Sequence, residues 1–174
     1  VPPDQETAKH DGARPNKQYM SVITGVSGED ATPAGLLKKH RIRSGMEPHA
    51  LAKEAGMSDA SYFDMEEHED EIMHVVSVET IRKICHALEI QCGDLFRHIS
   101  SNGRRMYKGE SLAQLIVSFL TNAGMKIDEF ESDVGYELKE ALADEKKMRD
   151  WNIDCLRSVC DRIGVDWRYA VEME

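Results

Sequence analysis

Leu51 to Ser58 reads LAKEAGMS. Ala52 and Ala55 are small enough for a second helix to approach closely, and Gly56 can take the positive φ that a tight turn between two helices requires. The stretch reads as helix, turn, helix, with the next helix over about Asp59–Glu67.

Upstream, Leu36, Leu37 and Ile42 begin a helix that Gly45 ends, and Pro48 opens the next one where its missing N–H does no harm. Downstream, Ser77 is placed to cap a helix whose Val78, Ile81, Ile84, Cys85 and Leu88 recur at three- and four-residue spacings, and Leu95 and Phe96 follow in a short last helix. Five short helices are predicted over residues 32–99. SSNGRRMYKGE, at Ser100–Glu110, reads as a linker over 100–110. Residues 1–31 contain VPPDQ, DGARPNK and GVSGED and read as a mostly disordered arm, with a short ordered piece at Met20–Val26.

The remainder, 111–174, repeats the scheme. Gly45–Met46 matches Gly124–Met125, Leu51 matches Phe130, and Ala55–Gly56 matches Val134–Gly135. SVETIRKICHALEI at Ser77–Ile90 aligns with NIDCLRSVCDRIGV at Asn152–Val165, pairing Ser77 with Asn152 as caps and Cys85 with Cys160. From the inner glycine to the cap the first copy is about four residues longer, within or near the acidic DMEEHEDEIMHVV stretch. An all-α chain of tandem helical domains is expected, the second degenerate, with essentially no sheet.

LAKEAGMS, MEE at Met65–Glu67 and SVETIRKICHAL at Ser77–Leu88 resemble the phage-repressor, Cro-like (XRE-type) helix-turn-helix family over roughly residues 35–97. The resemblance implies lambda-repressor-like five-helix domains, with the Asp59–Glu67 helix presented to a DNA major groove. It also implies a structural ion pair, Arg41 with Glu66, tying the first helix to the end of the third. The candidate DNA contacts are Ser58, Asp59 and Ser61 at that helix, with Lys38, Lys39 and Arg43 on the first.

Charge argues the other way. The chain has 22 Lys+Arg against 32 Asp+Glu, a net charge of −10, so any nucleic-acid contact must be local. Asp59, Ala60, Phe63 and Asp64 offer none of the bidentate Arg–guanine or Gln–adenine contacts. DMEEHEDE, at Asp64–Glu71, carries six carboxylates in eight residues, and such a rim repels phosphate. Basic residues of the arm (Lys9, Arg14, Lys17) and of the linker (Arg104, Arg105, Lys108) leave DNA contact open. Two readings follow. One is a transcription regulator that binds duplex DNA weakly or as a homodimer. The other is a repressor-like fold turned to protein interaction or DNA mimicry, with Asp64, Glu67, Glu69, Asp70 and Glu71 meeting a basic protein partner.

Other chemistry is sparse. His68, Glu69, Asp70 and His74 read as a solvated acidic loop rather than a metal site. Cys85 and Cys160 read as packed core thiols, and Cys92 and Cys155 make no CxxC pair with them. No nucleophile–base set, P-loop or cofactor motif is legible, so neither enzyme activity nor a cofactor is expected. No apolar run approaches the roughly 20 residues of a membrane span, and no export signal opens the chain, so a cytoplasmic protein with reduced thiols is expected.

Overall fold

Helix boundaries follow local backbone chemistry. In the computed structural model, which describes residues 31–104 and 109–172, the Thr32 side chain accepts the Gly35 amide and Pro33 takes the first position of α1 (Pro33–Ser44). Pro48 likewise opens α2 (Pro48–Ala55), and Gly56 closes it at a φ of 72°, a conformation with a steric cost for any side chain. Ser58 accepts the Ser61 amide and so starts α3 (Asp59–Glu67). The arm read over residues 1–31 lies outside the described residues but for Ala31; this covers Met20–Val26, Lys9, Arg14 and Lys17. Arg105 and Lys108 of the linker lie outside them too.

After α3 the chain takes a π-helical turn, Glu71–Val75, that buries Ile72 and Met73. Ser77 then caps α4 (Val78–Ala87), and α5 (Cys92–Leu95) follows. The second half holds α6 (Leu112–Ala123), opened by a reciprocal Ser111–Gln114 capping box, and α7 (Ile127–Val134). α8 (Lys139–Ala143) is only five residues long and passes into a 3-10 turn, Glu145–Asp150. Asn152 caps α9 (Ile153–Ile163), and α10 (Trp167–Ala170) ends the described chain. Among the described residues every regular element is helical, and the extended pairing is a single isolated bridge between Ser77 and Asn152. No helix of the described residues is long and apolar enough to cross a membrane.

Within the first half α2 packs on α3 and α4, and α1 packs on α3 and α5. Buried Ala52 and Ala55 keep α2 close to its neighbours. Between the halves, α4 packs on Glu145–Asp150, α9 packs on Glu71–Val75, and α5 packs on α10. The Val78 amide donates to the Trp151 carbonyl at 2.8 Å, and the Phe96 and Trp167 rings stack tilted with centroids 5.2 Å apart. The buried side chains of both halves form one continuous apolar cluster. Its fully buried members include Leu51, Tyr62, Phe96, Phe130 and Trp167, each contributing roughly 1.5–3 kcal/mol by removal from water.

The start of the expected linker is docked rather than free. Trp167 Nε1 donates to the Ser100 carbonyl at 3.4 Å, and the Asn102 amide donates to Asp161 at 3.0 Å. A Cβ at Gly103 would lie 1.9 Å from the Val165 carbonyl oxygen, so only glycine fits there.

Candidate nucleic-acid interface

The position of α3 depends on an ion-pair cluster. Arg41 Nε donates to Glu66 Oε1 at 2.5 Å and Nη2 to Oε2 at 2.9 Å, the two-pronged geometry that suits guanidinium and carboxylate. Arg41 Nη1 also donates to the Met46 carbonyl at 3.2 Å, and the Tyr62 hydroxyl donates to Glu66 Oε1 at 2.8 Å. The Arg41 side chain is 12 % exposed and that of Glu66 only 3 %. Bonding to Glu66 holds the guanidinium more firmly protonated than usual, while burial and the neighbouring carboxylate push the Tyr62 hydroxyl far up. Glu66, one of the six carboxylates of DMEEHEDE, therefore lies inside the fold and adds nothing to the rim.

The outward side of α3 presents Asp59, Ala60, Ser61, Phe63, Asp64 and Glu67, all exposed, with Phe63 51 % exposed. Ser58 and Ser61 are bound to each other, Oγ to Oγ at 2.8 Å, and Ser58 is occupied as the helix cap. Asp59 is engaged by α2: both its carboxylate oxygens lie 2.9 Å from His49 Nδ1. Lys38 reaches across from α1 to Glu67 at 3.1 Å. Four of the contacts proposed for DNA, Lys38, Ser58, Asp59 and Ser61, thus already have partners in the free protein, while Lys39 and Arg43 are exposed on α1.

The acidic residues after α3 are not equivalent. Asp70 is exposed and Glu71 half-buried. Glu69 turns inward, where its Oε2 accepts the Ala34 amide at 3.5 Å near the start of α1. Burial raises its carboxyl above the ordinary value, and the Ala34 bond opposes that rise. His74 Nδ1 lies 2.5 Å from Asp154 of the second half, and the His74 carbonyl accepts from Asn152 Nδ2 at 2.7 Å. His74 thus belongs to the contact between the halves.

In the second half, a carboxylate from the preceding helix starts α8. Glu131, at the position matched with Ala52, accepts the Leu138 amide at 2.6 Å and the Lys139 amide at 3.0 Å. It caps α8 from the preceding helix, which Ser58 does for α3 from its own N-terminus. These bonds, led by that from Leu138, hold the Glu131 carboxyl below its ordinary value. Lys139 is bound in turn by Asp128 and Glu131. In the repeat alignment Glu131 merely replaces Ala52; its role as acceptor is not legible there, because the amides that donate to it lie seven and eight residues onward.

Residues 37–101 match the family model of the Cro/C1-type helix-turn-helix DNA-binding domain. That span runs from α1 through α5 and includes the α2–turn–α3 unit and the Arg41–Glu66 pair. No curated protein and no solved structure matches the chain.

Proposed function

We propose that this protein is a cytoplasmic transcription regulator that binds duplex DNA through residues 32–99, weakly or as a homodimer, with no catalytic step and no cofactor. The observation that carries this reading is the match of residues 37–101 to Cro/C1-type DNA-binding domains. It is supported by the α2–turn–α3 geometry, with α3 held to α1 by Arg41 and Glu66.

In the same proposal residues 100–110 join this domain to a degenerate second copy, 111–174, that sets geometry and reads no bases. Matched positions support the duplication: left-handed glycines end α1 and α6, and α2 and α7, at corresponding places. The packing of α4 on Glu145–Asp150 and of α9 on Glu71–Val75 is reciprocal, and α5 meets its counterpart α10. A five-residue α8 tied back by Glu131 supports the loss of base reading.

A second reading has its own observation. The exposed side of α3 carries Asp59, Asp64 and Glu67 and no basic residue, which suits a basic protein partner or imitation of DNA charge. Binding of the full chain to a random-sequence duplex, titrated with salt, separates the two. Binding that weakens steeply as salt rises supports the regulator. A folded, concentrated sample that binds no duplex at low ionic strength leaves the interaction module.

A further inference from the structure

We infer that this protein grips the phosphate backbone of duplex DNA at the edge where α1 meets α5, through Lys39, Arg43 and Arg97, rather than along α3. The inference rests on the DNA-binding reading above and locates its electrostatic contact.

In a chain of net charge −10 the cations that matter are those no carboxylate holds. Beside α3 they are held, Lys38 by Glu67 and Arg41 by Glu66, and the His49 ring lies against Asp59. Lys39, Arg43 and Arg97 form no ion pair within the described residues and are exposed. Lys39 and Arg43 stand one turn apart on α1, about 5–6 Å between Cβ atoms, and α1 packs on α5, directly after which comes Arg97. Arg97 Nε donates to His98 Nε2 at 3.2 Å, which orients the guanidinium.

All three cations act on half-buried His40 of α1: burial lowers its pKa most, Asp94 is the largest charge effect and raises it, and Arg43, Arg97 and Lys39 each lower it. Asp94 and Glu172 line the recess beside Arg97 and offset part of the positive charge at this edge. Two guanidinium forks and an ammonium suit a line of phosphate oxygens, the forks binding in pairs and the ammonium as a point charge. None of the three is directed at a base by any element that enters a groove, so the contact predicted is independent of sequence.

The test uses the full chain and a random-sequence duplex, with the binding constant measured by fluorescence anisotropy over a range of salt. Each neutralised phosphate contributes a slope of about −0.9 to log K against log salt. Lys39→Ala/Arg43→Ala/Arg97→Ala should therefore flatten the wild-type slope by about 2.7 and lower low-salt affinity by at least roughly tenfold. Removing the same charge elsewhere, with Lys83→Ala/Lys126→Ala/Lys146→Ala, should leave the slope nearly unchanged. A triple variant with the wild-type slope would overturn the inference and leave the DNA-binding reading intact, as would an equal loss in the control variant. Wild type that binds no duplex at low salt overturns both. Should the triple variant fail to fold by circular dichroism, Arg97→Gln alone carries the test, with a slope change of about 0.9 expected and no change overturning the inference.

Discussion

Ser77 and Asn152 cap helices at matched places in the two halves and pair with each other in the one isolated antiparallel bridge of the described residues. Their roles differ in one respect. Ser77 accepts the Thr80 amide and also bonds the half-buried Thr80 hydroxyl, which water can satisfy in its place. Asn152 accepts the Cys155 amide and also donates Nδ2 to the His74 carbonyl of the other half. Loss of a cap costs roughly 0.5–2 kcal/mol, and a further hydrogen bond adds about 1 kcal/mol. Asn152→Ala should therefore destabilise the protein by about 1 kcal/mol more than Ser77→Ala in urea unfolding; equal costs would mean that the bond to His74 contributes nothing.

The Arg41–Glu66 pair supplies a sharper contrast. Removing one partner of a buried pair strands the other and costs roughly 3–5 kcal/mol, whereas an exposed pair is worth about 0–1 kcal/mol. Arg41→Ala should lower the urea midpoint far more than Lys38→Ala, whose partner Glu67 is 62 % exposed. Similar shifts from both would remove the tie between α1 and α3 as a determinant of the fold.

Glu131 links the fold to pH. Its carboxyl is held below the ordinary 4.5 by the amides of Leu138 and Lys139. Its folded pKa is depressed, so its contribution is complete above the unfolded value and disappears as pH falls through the lower folded one. The stability gap between wild type and Glu131→Gln should be constant near neutrality and close below pH 4.5. A gap that persisted at the acid end would show that the ionised carboxylate is not the source.

Because one apolar cluster spans both halves, they should unfold together. Both tryptophans of the chain, Trp151 and Trp167, lie in the second half, so fluorescence reports on that half. Phe96→Ala in the first half removes a fully buried ring packed on Trp167, a change costing roughly 3–5 kcal/mol. It should shift the fluorescence and circular dichroism curves by the same amount. Separated transitions would mean that the halves are independently stable.

Substituting Asp64, Glu67, Asp70 and Glu71 by Asn or Gln removes exposed or half-exposed charge and frees Lys38 from Glu67, while leaving inward-turned Glu69 in place. Nonspecific duplex affinity at low salt should rise roughly three- to tenfold, or about 0.7–1.4 kcal/mol. An unchanged affinity, measured by anisotropy, would show that the rim lies outside the reach of the bound phosphates.

What was legible in the sequence was local. Gly45, Pro48, Gly56 and Ser77 mark helix ends through their own backbone chemistry, and the structure places ends there. The first helix begins earlier than the apolar pattern suggested, because Thr32 caps it and Pro33 tolerates the first position. The YELKEALADEKKM stretch, Tyr136–Met148, is split at Asp144, whose side chain accepts the Lys146 amide and begins the 3-10 turn. Repeat spacing located about four extra residues near the acidic stretch. It gave no sign of a π-helical turn, a form accompanied by burial of Ile72 and Met73 and by packing on α9. Around the candidate site, Lys38–Glu67 and His49–Asp59 join residues 29 and 10 positions apart. Such pairs depend on how helices cross, which a charge count does not encode.

The stack of Phe96 on Trp167 is made within a single polypeptide. Two separate subunits joined by such contacts come apart on dilution, since their association follows mass action. Partners on one chain meet at an effective concentration on the order of millimolar however dilute the protein becomes. Covalent joining also lets each side change alone: in a pair of identical subunits every substitution appears twice, but here a change beside Phe96 is not repeated beside Trp167.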